Sequence, residues 1–142
     1  MRTLSGPFRL ARRILLASCV ILWVGAFTVS HIPQSQLPSI PIADKRIHFA
    51  GFFALEVLLI LTLAAQGLTH LRRAPIALGA LIVYAFVDEL TQPLVNRYAD
   101  LLDVAADVAG AAAAAVLCEP LLWAARAAKR RSHAAETRRP PG

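Results

Sequence analysis

Charge is scarce in this chain. Asp, Glu, Lys and Arg supply 17% of its 142 residues, whereas 57% are hydrophobic and the mean hydropathy is +0.56. Soluble domains carry about 25% charge, so an ordinary water-facing surface is excluded. Cysteine is nearly missing too: Cys19 and Cys118 both fall inside apolar runs, which excludes a disulfide framework and reads as packing. The chain has no Gly-x-Ser-x-Gly nucleophile turn and no His-Glu-x-x-His zinc motif. It also lacks a repeat of fixed period and the inverted halves of many transporters. No Ala-x-Ala site closes the first apolar run, so residues 1–30 read as an uncleaved anchor rather than a signal peptide.

What the chain does have is long apolar runs: Ile14–Ser30, Ile47–Gln66, Ile76–Leu90 and Val104–Ala125. A helix needs roughly 20 residues, and about 17 suffice, to cross a ~30 Å hydrocarbon core. Three runs meet that length, and the third does so if it continues toward Leu94. The fold expected is all-α, a membrane-spanning four-helix bundle. The formal charge of +6 does not point to nucleic acid, because no soluble fold is there to carry a basic patch. Twelve of the fifteen Lys and Arg residues precede the first run, separate the second from the third, or follow the fourth. Basic residues near span ends stay cytoplasmic. Both termini are therefore expected inside, with 32–46 and 92–102 facing outward, in a multi-pass protein of the cytoplasmic (inner) membrane. The division expected is a cytoplasmic segment 1–13, a transmembrane domain 14–125 and a disordered basic cytoplasmic tail 126–142.

Proline and glycine punctuate this plan. Pro33, Pro38 and Pro41 predict a stiff outer loop, Gly67 ends the second helix, and Pro75 suits the first turn of the third. The fourth run is rich in Ala and Gly, which lets helix backbones approach closely in lipid, so it is expected to pack centrally. The tail from Lys129 has no apolar face.

Ionisable residues interrupt three of the runs, at a cost of at least about 2.5–3.5 kcal/mol each on insertion scales. Asp44 and His48 lie four apart on the second helix; Tyr84, Asp88 and Gln92 share a face of the third, beside Glu89; Asp100, Asp103 and Asp107 form a stripe on the fourth, led by Arg97. Only Glu56 approaches the membrane midplane. The positive-inside assignment puts all three clusters in the outer half of the bilayer. One outward-opening polar pocket is expected, built from Asp44, His48, Asp88, Glu89, Gln92, Arg97, Asp103 and Asp107. Asp44 also suits a helix N-terminus, Tyr84 and Trp23 read as packing, and Lys45 as a residue that snorkels to the interface.

Asp44-Lys45-x-x-His48-Phe49-x-x-Phe52, Asp88-Glu89-x-x-Gln92 and Arg97-x-x-Asp100-x-x-Asp103-x-x-x-Asp107-x-x-Gly110 resemble the VanZ-like family of small bacterial membrane proteins. The likeness covers roughly residues 40–118 and departs from a common family pattern at Asp107, where Asn is usual. It implies the four-helix membrane fold and no established activity. Three readings of the polar residues stand. They could be a purely structural network that fixes helix register. They could bind a lipid-linked or cell-envelope precursor headgroup, Arg97 holding phosphate in two parallel hydrogen bonds and the carboxylates holding hydroxyls, amines or a divalent cation. They could serve a metal-assisted hydrolase or transferase, with His48 as general base and Arg97 at an oxyanion. The chain shows no evident nucleophile, so binding is favoured over catalysis. No recognised metal-ligand spacing is present.

Overall fold

A stretch of apolar residues leaves its backbone N–H and C=O groups nowhere to bond in lipid except along the helix itself. The computed structural model, which describes residues 6–36 and 44–137, has four long helices. They are α1 (Gly6–Ser30), α2 (Asp44–Ala65), α3 (His70–Thr91) and α4 (Leu101–Thr137). Single 3₁₀ turns at Gln34–Gln36 and Gln92–Val95 lie in two of the connections. All four helices are long and apolar enough to cross a membrane. The expected outer-loop residues Pro38 and Pro41 fall outside the described residues, as do Arg2, Arg138 and Arg139 of the basic flanks.

Burial in this protein runs opposite to a soluble one. Glu56 and Asp107 are 0% exposed and Arg73 is 1% exposed, while Ile21 is 70% and Val116 72% exposed. Large apolar side chains face outward around the bundle, as contact with a lipid bilayer requires, and the charged groups turn inward to find one another. This is a multi-pass membrane protein.

α2 lies at the centre and packs against all three other helices, most extensively against α4. Gly110 allows that crossing: a Cβ placed there would come within 2.2 Å of the Phe49 carbonyl oxygen. α1 joins through Trp23, which stacks on Tyr84 of α3 at 4.8 Å between ring centres, and Tyr84 in turn stacks on Phe52 of α2 at 5.3 Å. The packing role expected for Trp23 and Tyr84 follows from these contacts. Leu55, Leu81, Ala85, Val104 and Ala111 complete the apolar core. Cys19 and Cys118 are both free.

Three expected boundaries need correcting. α4 continues to Thr137, so residues 126–137 are helix rather than a disordered tail, and 138–142 lie outside the described residues. Ala124, Ala125, Ala127 and Ala128 are strong helix formers, and extending a helix that already exists costs little. α1 begins at Gly6, so most of the separate segment expected over 1–13 belongs to the first helix. α3 begins at His70 with Pro75 inside it, not at its first turn. Thr69 receives the N–H groups of Arg72 and Arg73 on its carbonyl, so helix forms before the proline. Pro75 removes only a bond to the first turn.

Candidate functional site

Contacts at the two ends show that the helices alternate in direction. At one end, Arg12 of α1 hydrogen-bonds Gln66 after α2, and Arg73 of α3 pairs with Glu119 of α4. At the other end, the last turns of α1 and α3 meet, the first turns of α2 and α4 meet, and Glu89 of α3 reaches the start of α4. The described chain therefore enters and leaves the bundle on one face. The second end gathers all eight residues singled out from the sequence.

In the 3₁₀ turn that follows α3, Gln92 is 2% exposed and donates from Nε2 to Glu89 at 3.2 Å and to Asp88 at 3.4 Å. Glu89 accepts the backbone N–H of Asp100, tying α3 to the start of α4. Asp100 caps that helix by accepting the Leu102 N–H at 2.8 Å. Lys45, from the first turn of α2, donates to Asp100 at 2.8 Å and to Asp103 at 3.2 Å. One turn deeper, His48 Nδ1 lies 3.0 Å from Asp107 Oδ1. Arg97 Nη2 lies 3.6 Å from Asp44 Oδ2 at the more exposed rim. Asn96 makes the turn before Arg97 in the left-handed region at φ 59°, a conformation Asn tolerates.

The Lys45 ammonium and then the Leu102 N–H hold the Asp100 carboxyl below its usual range. A carboxyl depressed in this way adds stability that is full above its unfolded value, near pH ~3.9. That stability is lost as pH falls through the lower folded value.

Two further residues, Ser30 at the end of α1 and His31 just beyond it, reach this network and were not among the expected residues. Ser30 Oγ donates to Asp88 at 2.6 Å, and His31 Nδ1 lies 3.7 Å from the same carboxylate. His31 Nε2 also meets Thr91 Oγ1 at 2.8 Å. The signal was available: two polar residues end the first apolar run at the depth where alternating helices place Asp88. The pair Arg73–Glu119 at the opposite end was also missed. Arg73 reads as a loop charge until α3 is seen to start at His70, and Glu119 is a lone acid inside the fourth apolar run. Glu56, near the middle of α2, carries both carboxylate oxygens without a hydrogen-bond partner among the described residues.

The cluster is packed rather than hollow over much of its depth, since Asp88, Glu89, Gln92, Asp103 and Asp107 are all buried. Its accessible parts are the rim residues Asp44, Lys45 and Asp100, while the Arg97 side chain beside Asp44 is only 9% exposed. A separate recess of about 210 Å³ lies at the Arg73 end, lined by Arg9, Arg12, Arg13, Leu16 and Gln66.

Against protein-family models, curated proteins and solved structures, the chain has no match.

Proposed function

We propose that this is a VanZ-like membrane protein whose clustered polar end faces outward and binds the headgroup of a lipid-linked or cell-envelope precursor. The observation that carries this reading is a charge imbalance. Asp44, Asp88, Glu89, Asp100, Asp103 and Asp107 stand against only Lys45, Arg46 and Arg97, a formal excess of three negative charges with the imidazoles neutral. Glue between helices would need matched pairs, because polar contacts inside membranes contribute only about 0.6 kcal/mol on average. An unmatched cluster opening at its rim suits a ligand that brings a positive group, such as a headgroup amine, alongside an anion for Arg97. The outward orientation rests on the basic residues at the Arg73 end.

The register-fixing reading retains support from one feature. Lys45, Gln92 and Ser30 each spend their donors on carboxylates of another helix or turn. Mass spectrometry of lipids that co-purify with the wild type and with Arg97→Ala separates the two. Headgroup binding predicts a species enriched on the wild type and lost from a folded Arg97→Ala protein. Identical lipid profiles would remove this reading and leave the structural one.

A further inference from the structure

The geometry points to a divalent transition-metal site on His48, Asp44 and Asp103, oriented from below by Asp107, and we propose that it takes Zn²⁺. The three side chains come from the first turns of α2 and α4, and one ligand atom from each lies within 4.8 Å of the other two. Zn²⁺ binds nitrogen and carboxylate oxygen at about 2.0–2.2 Å in a tetrahedral arrangement. Ligand atoms then stand roughly 3.4 Å apart by that geometry, so side-chain movements of at most about 1.4 Å would close the site. Asp44, whose side chain is 56% exposed, is free to make such a move.

A second observation concerns the imidazole. The His48 side chain is only 8% exposed, and its Nε2, which is not enclosed, makes no hydrogen bond among the described residues and is open to a ligand. Nδ1 is engaged by Asp107, which is fully buried and carries its own Oδ2 unpartnered. A carboxylate that holds one ring nitrogen fixes the tautomer and raises the basicity of the other, the arrangement found behind metal-binding histidines. We therefore assign coordination to Nε2. An imidazole among the ligands favours Zn²⁺ over Mg²⁺ or Ca²⁺, which prefer oxygen alone.

The competing cations leave room. Lys45 takes Oδ1 of Asp103 and Arg97 approaches Oδ2 of Asp44, so each carboxylate keeps a second oxygen without a hydrogen bond among the described residues. Lys45 retains Asp100 when Asp103 turns to the metal. Three protein ligands leave a fourth position for water or an oxygen from a bound molecule. The site needs no lipid, so it stands apart from the headgroup reading.

The test is zinc titration of the tag-free full chain, freed of lipid in detergent, by calorimetry with elemental analysis after desalting. One Zn²⁺ per chain is expected, weakened at least tenfold in Asp44→Asn and His48→Gln. Asp107→Asn keeps the ligands but lowers affinity about 10–100-fold, as second-sphere changes do. Asp44 is exposed enough that its substitution leaves the bundle folded, so an unfolded His48→Gln protein would not block the result. Zinc bound with wild-type affinity by Asp44→Asn, no stoichiometric zinc on the wild type, or equal affinity for Mg²⁺ would each overturn the proposal. Zinc binding with an unchanged lipid profile in Arg97→Ala would sink the headgroup reading alone.

Discussion

Glu56 illustrates what a single residue can cost a membrane protein. It is 0% exposed, and neither of its oxygens has a hydrogen-bond partner among the described residues. Leaving a buried polar group unpaired costs about 1–3 kcal/mol, whereas an apolar side chain of similar shape removes that cost. Glu56→Leu is therefore expected to stabilise the bundle by about 1–3 kcal/mol, read as a higher unfolding midpoint in detergent. A lower midpoint would mean that Glu56 has a partner in solution. Arg73 presents the contrasting case: it is as deeply buried, but its guanidinium engages Glu119 through two nitrogens, and a paired charge avoids that penalty. The individual ionisable residues were plain in the sequence. Their pairing was not, because Arg73 and Glu119 lie 46 positions apart and spacing along one helix says nothing about the facing one.

Among the elements, the contact between α2 and α4 decides the shape of the bundle. Without a hydrophobic effect between helices in lipid, close backbone approach has to supply the packing. Gly110 allows it, since the space for a Cβ is already taken by the Phe49 backbone. Gly110→Ala should push the helices apart and cost about 1–3 kcal/mol, the usual range for overpacking. The same movement would separate His48 on α2 from Asp107 on α4, so zinc affinity should fall together with the unfolding midpoint. A variant with normal stability would show that α2 and α4 cross less tightly than this. The number and type of elements were readable from run length. Their ends were less so: α4 extends twelve residues past the expected Ala125 to Thr137, because helix propagation through Ala and Arg continues where the apolar pattern stops.

For the whole molecule, alternating helices bring the polar ends of all four spans to one level and the basic flanks to the other. Tyr98 is 92% exposed at the polar end. With Cys19 and Cys118 replaced by Ala, a Tyr98→Cys protein should be labelled by a membrane-impermeant thiol reagent added to intact cells. Labelling only after the membrane is opened would place this end in the cytosol and undo the outward site.

The sequence by itself determined that this chain forms four helices long and apolar enough to cross a membrane, because an apolar run in lipid must satisfy its backbone groups within the helix. It also picked out His48, Asp44, Asp103 and their companions, because charges in a span are too costly to be accidental. Only the tertiary structure decided who pairs with whom: that Asp107 holds His48, that Ser30 and His31 at the end of the first helix reach Asp88, and that Glu56 has no hydrogen-bond partner among the described residues. Those outcomes depend on the rotation and distance between facing helices, which are set by steric fit at places such as Gly110 and leave no periodic trace along the chain.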